Sequence, residues 1–142
     1  MEPLRFLTDK QRAVLLEHAQ LVTYADGETI VEEGARRRAI FILRRGTVSI
    51  EKQHLGTGIP LDELGEGEVF GEMSFLEETG ASASVVAQGS VELYVLEAAG
   101  LEGLLDSDSE LAANFYRSLA HMLSRRLRHN TAEFASIPFS GG

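Results

Sequence analysis

The chain has 142 residues, 44% hydrophobic and 25% charged, with 22 acidic side chains against 13 basic ones and a net charge of -9. That length suits one domain, or one domain with a helical appendage, and the balance of apolar and charged residues excludes wholesale disorder. The lack of cysteine excludes disulfides, thiolate zinc sites and cysteine nucleophiles, and so acidic a chain repels nucleic acid and anionic lipid unless a local basic patch intervenes.

Thr8 with Gln11 three residues later is a capping-box pattern and predicts a helix, continued by Val14, Leu15 and His18-Ala19. Asp26-Gly27 marks a turn. Short apolar runs cut by glycines then read as strands over 29–31, 39–43, 47–50, 84–87 and 91–95, rich in β-branched and aromatic residues. Ten of the 14 glycines lie between Gly27 and Gly89, as tight corners require. This spacing predicts an all-β sandwich or barrel, not a parallel α/β sheet.

A short helix is expected over 98–105. Ser107 with Glu110 is a second capping box and opens a long helix to about Phe134. That helix carries two apolar stripes, one of Ala112, Phe115, Leu119 and Met122, the other of Tyr116, Ala120, Leu123 and Leu127. Either one wide face packs on a single core, or the second stripe meets a second copy of the chain. The tail from 137 to 142 is expected to be loose. No apolar run approaches the ~18 residues of a membrane span, and no signal-peptide core opens the chain, so a soluble, cytoplasmic, non-membrane protein is expected.

Four motifs in this order carry a resemblance. They are Gly27-Glu28-Thr29-Ile30-Val31-x-Glu33-Gly34, Phe41-Ile42-Leu43-x-x-Gly46-x-Val48, Leu64-Gly65-x-Gly67-x-x-Phe70-Gly71-Glu72-Met73-Ser74-Phe75-Leu76, and Ala83-Ser84-Val85-Val86-Ala87. From Phe6 to Phe134 the chain resembles the cyclic-nucleotide-binding domain of catabolite activators, protein kinase regulatory subunits and gated channels. The resemblance implies a mainly β fold with flanking helices: an eight-stranded, cupin-like jelly-roll barrel, a short N-terminal helix and a long C-terminal helix. It divides the chain into a barrel with its hinge helix (1–105), a dimerisation helix (106–136) and the tail.

By the same resemblance, Gly71, Glu72 and Met73 sit where the family binds ribose and cyclic phosphate, with Ser82 and Ala83 beside them. A glycine there lets a ligand approach the backbone, and a carboxylate accepts a ribose hydroxyl. Alternatively, Glu72 only caps the start of a short helix. Asn130 and Thr131 fall where the catabolite activator's helix contacts the purine, which makes them candidate lid residues. Phe115, Leu119, Met122, Leu123 and Leu127 are the expected dimer contacts.

One position departs from the pattern. Cyclic-nucleotide binders carry an arginine for the phosphate, followed by a small residue and alanine; here the triplet is Ala81-Ser82-Ala83. Hydrogen bonds to charged groups are worth about 1.5–3 kcal/mol each, so losing the arginine lowers affinity roughly 10- to 1,000-fold. The stretch 61–110 holds 13 acids and no lysine or arginine. Arg36-Arg37-Arg38 and Arg44-Arg45 are the nearest clusters, either solvated or folded over the pocket.

His18, His54, His121 and His129 form no metal-ligand pattern, Lys10 and Lys52 complete no phosphate-binding loop, and paired carboxylates such as Glu77-Glu78 lie in acidic loops. No metal, no cofactor and no catalysis are expected. Too few residues follow Thr131 for a helix-turn-helix, so no nucleic acid is expected to bind through this chain. The reading is a non-catalytic regulatory homodimer with a protein partner. Its pocket is degenerate or retuned toward a cyclic nucleotide or related small molecule. The alternatives are a genuine cyclic nucleotide sensor with other phosphate donors and a structural adaptor with an empty pocket.

Overall fold

The capping box forms as the sequence predicts: the Thr8 hydroxyl accepts from the Gln11 N–H at 3.1 Å, and the Gln11 side chain accepts from the Thr8 N–H at 3.0 Å. A computed structural model describes residues 4–135, with side chains as far as Arg128. Its elements run α1 (Asp9–Glu17), β1 (Gln20–Tyr24), β2 (Thr29–Val31), β3 (Ala39–His54), β4 (Thr57–Leu64), β5 (Val69–Phe70), α2 (Glu72–Glu77), β6 (Ser84–Glu97), α3 (Ala98–Ser107) and α4 (Ser109–Ala135). All strand pairs are antiparallel, in the order β1-β6-β3-β4, with β2 on β6 and β5 on β3.

The expected jelly-roll with flanking helices is therefore present, with two differences. Among the described residues there are six strands rather than eight, and the sheet does not close. The runs at 39–43 and 47–50 fuse into β3, and those at 84–87 and 91–95 fuse into β6, because both strands stay paired through the register slip between Leu43 and Thr47. β1 and β4 lack the apolar alternation that marks a half-buried strand; most of their residues are exposed.

The unbroken apolar run at 39–43 has a simple cause: both faces of the strand are buried. Ala39, Phe41 and Leu43 point into one core with Val48, Leu64, Phe70, Val85, Leu93 and Val95, inside the curve of the sheet. Ile40 and Ile42 point the other way, into a second core with Leu15, Val69, Leu96, Leu101, Leu111, Phe115 and Leu119, beneath the helices. One strand thus holds barrel and helical layer together.

The cap of α4 lies one residue beyond the predicted one, at Asp108. Ser107 ends α3, donating to the Leu104 carbonyl at 2.8 Å, and the Asp108 carboxylate accepts from the Leu111 N–H at 3.0 Å. Phe115 and Leu119, expected at a dimer interface, are 0% and 1% exposed in the chain's own core. The first stripe is consumed internally because Met122 and Ala112 pack on the same core. Tyr116 at 44% and Leu127 at 68% exposure remain outward, with Leu123 half-buried. The tail from residue 137 lies outside the described residues.

Phe115 makes edge-on ring contacts with Phe75 at 6.3 Å and Tyr116 at 5.5 Å. Phe115→Ala is expected to lower unfolding free energy by about 3–5 kcal/mol, measured by urea denaturation. Asp108→Ala should cost about 0.5–2 kcal/mol through loss of the cap.

Candidate functional site

β5 ends on Phe70, and Gly71 then turns the chain into α2. The turn admits only glycine: Gly71 has φ +84°, and a Cβ there would lie 2.6 Å from the Ala39 carbonyl and 2.9 Å from the Phe41 ring. This tight passage over β3 aims the next residue inward. Glu72 is 6% exposed, an unusual place for a carboxylate.

Its counter-charge comes from α4. Arg126 Nη1 donates to Glu72 Oε1 at 2.8 Å, and Nη2 donates to the Val69 carbonyl. Burial pushes the Glu72 carboxyl above the ordinary carboxylate range, and the Arg126 charge offsets this only in part. Arg126 therefore links the carboxylate to α4 and, through the Val69 carbonyl, is itself anchored on β5.

Beside this pair lies a cavity of about 320 Å³, within the range that takes small ligands. Its walls include Gly71, Glu72, Met73, Ala81, Ser82 and Ala83, so the residues predicted from the four motifs do converge. The remaining walls are the apolar side chains of Val31, Phe41, Ile50, Leu61, Leu64, Phe70 and Val85, together with Ser74, the carboxylate Asp62 and two cations, Arg37 and Arg126. Ala81 is fixed by the loop before β3: Gly34 N–H donates to the Ala81 carbonyl at 2.8 Å, and Ala81 N–H donates to the Ala35 carbonyl at 2.9 Å. That approach is close, since a Cβ on Gly80 would stand 2.8 Å from the Gly34 carbonyl oxygen. Lys52 Nζ donates to the Ser82 carbonyl at 3.0 Å, outside the cavity lining.

Sequence reasoning missed Arg126, which reads as a cation near a helix C-terminus, and left Arg37 undecided. Arg37 faces the cavity, whereas Arg38 braces the Phe75 carbonyl and Glu102, each at 2.7 Å. Arg44 pairs with Glu92 on the strand surface. Asn130 and Thr131 lie in the helical backbone of α4, but their side chains fall outside the described residues. Among the described residues no group of histidines and carboxylates is placed to hold a metal ion, and no helix is long and apolar enough to cross a membrane.

Residues 21–108 match the cyclic nucleotide-binding domain family. The chain is 34% identical over 134 residues to the cyclic AMP receptor protein of Thermus thermophilus, covering 94% of this chain and 60% of that one. It is 30% identical over 124 residues to cyclic GMP-binding protein C of Dictyostelium discoideum, covering 87% of this chain and 5% of that protein. The crystal structure of the Thermus thermophilus catabolite activator protein is similar with a TM-score of 0.77 and 32% identity, over 91% of this chain and 59% of that one. The chain spans less than two thirds of the length of each.

Arg126→Ala leaves Glu72 buried without its counter-charge. The expected loss of stability at neutral pH is about 2–3 kcal/mol, below the full cost of an unpaired buried charge because the Arg126 side chain is 27% exposed. A raised carboxyl binds its proton more readily in the folded chain than in the unfolded one, so protonation favours the fold. The loss should therefore shrink as pH falls toward the ordinary carboxylate range. Urea melts of Arg126→Ala and of the double variant Glu72→Gln/Arg126→Ala across pH check this; only the single variant should show the recovery.

Proposed function

The chain belongs to the cyclic nucleotide-binding domain family, and from that premise we propose that it is a non-catalytic regulatory module whose retuned pocket controls the packing of α4. The observation that carries this reading is the Arg126–Glu72 hydrogen bond, which joins the helix to the floor of the cavity. In the family resemblance Glu72 is the ribose-contacting carboxylate, so a ligand hydroxyl competes with Arg126 for the same oxygens. Occupation of the cavity then releases or re-seats the second half of α4. A ligand shifts that equilibrium only by its differential affinity for the two helix positions.

The outward stripe of exposed Tyr116 and Leu127 with half-buried Leu123 is the surface through which the helix reports, to a second copy of the chain and to a protein partner. Phe115 and Leu119 contribute indirectly, by fixing the helix on the core. Ala81 leaves the pocket without the family's phosphate arginine, which supports retuning away from cyclic AMP. A second reading, a genuine cyclic nucleotide sensor, is favoured by one observation: Arg37 and Arg126 give the cavity two cations from other elements.

Calorimetric titration with cyclic AMP separates the readings. The retuned pocket predicts a dissociation constant weaker than low micromolar, and Ala81→Arg should tighten it by roughly 10- to 1,000-fold. Low-micromolar or tighter binding by the unaltered chain would favour the sensor. Light scattering should give a dimer at micromolar concentration, and a monomer there would remove the dimer helix from the account.

A further inference from the structure

Three consecutive arginines occupy the loop between β2 and β3, and the middle one lines the cavity. The loop is fastened to the position that lacks a cation, since Gly34 and Ala35 exchange backbone hydrogen bonds with Ala81 at 2.8 and 2.9 Å. From there Arg37 lays its guanidinium over the Phe41 ring, 5.2 Å from the centroid. Phe41 in turn lies against Gly71, the residue that leads into Glu72. Arg37 thus lines the same cavity as Ala81, Gly71 and Glu72, held over Phe41.

Its present partner is replaceable. Arg37 Nη2 donates to Glu97 Oε1 at 2.6 Å, but the two side chains are 40% and 52% exposed. Ion pairs that open to solvent contribute little to stability. A guanidinium has five donors in a planar fork; Glu97 engages one nitrogen and the Tyr24 hydroxyl is a second, weaker partner, which leaves donors over for a ligand. The same fork fits two oxygens of a phosphoryl group. Arg126, the other cation of the cavity, is already committed to Glu72 and the Val69 carbonyl.

We propose that Arg37 is the anion anchor of this cavity, taking the phosphoryl group of a ligand in exchange for Glu97. This rests on reading the cavity as a ligand pocket. It moves the cation from the loop between α2 and β6, where the family pattern has it at Ala81, to the facing loop between β2 and β3. The carboxylate of Glu97 becomes a competitor that weakens binding.

The test titrates the full chain with cyclic AMP and cyclic GMP as probes, comparing the unaltered protein with Arg37→Gln, Glu97→Gln, Arg36→Gln and Ala81→Arg. Arg37→Gln is expected to weaken the better probe by about ten- to a hundred-fold. Glu97→Gln removes the same ion pair from its other side and should tighten binding several-fold. Loss of a merely structural pair would weaken both. Arg36→Gln should stay within about twofold. Unchanged affinity in Arg37→Gln, or weakening in Glu97→Gln, overturns the proposal. If only Ala81→Arg binds the probes, the cavity is a nucleotide pocket with no anchor at Arg37, and the proposal fails alone. If no variant binds, the pocket reading fails with it.

Discussion

A carboxylate taken out of water needs a counter-charge or a proton, and in this chain that requirement falls on Glu72. The positive group that answers it is Arg126, 54 residues further along the chain and on a different layer. Two parts of the molecule that the sequence keeps apart are therefore tied at one point. In the proposed function, an event that changes the demand at Glu72, whether a proton, a ligand hydroxyl or a substitution, is felt by α4 through this hydrogen bond. Coupling of this kind needs no long relay of side chains, since helix and pocket share a bond.

The fold places both ends of that bond. β3 buries both faces, so the barrel core and the helical core are locked in one register. Gly71 crosses β3 so closely that Glu72 has nowhere to go but inward. On the other side, Phe115 and Leu119 fix α4 to the helical core, and Arg126 follows Leu119 by about two turns of helix. The helix as far as Met122 is thus a base fixed by apolar packing, and the turn beyond it is tied back through Arg126. The proposed switch uses this arrangement: the base keeps the fold, and the end of the helix is joined to the pocket by the Arg126–Glu72 hydrogen bond.

Much of this was legible in the residues, because it rests on local signals. The Thr8–Gln11 cap, the glycine punctuation, the apolar runs in β3 and β6 and the Gly71-Glu72 motif each report a nearby physical demand. β1 and β4 were not legible, since most of their side chains are exposed and only Val22, Tyr24 and Leu64 reach the core. The cap of α4 slipped by one residue because Ser107 and Asp108 are both good caps, and the choice depends on where α3 ends. The two cations of the cavity were hidden for a different reason. The stretch 61–110 has no lysine or arginine, which suggests a pocket without positive charge. Arg37 and Arg126 enter from a loop and a helix on either side of it in sequence, and only the folded chain brings them in.

In the proposed function the pocket and the end of α4 form one equilibrium through Arg126 and Glu72. Hydrogen–deuterium exchange of the unliganded chain tests this without knowing the ligand. In Glu72→Gln the account predicts faster exchange in α4 beyond Leu119, with the amides around Phe115 still protected. Unchanged exchange throughout α4, with any effect confined to the neighbourhood of α2, would contradict it.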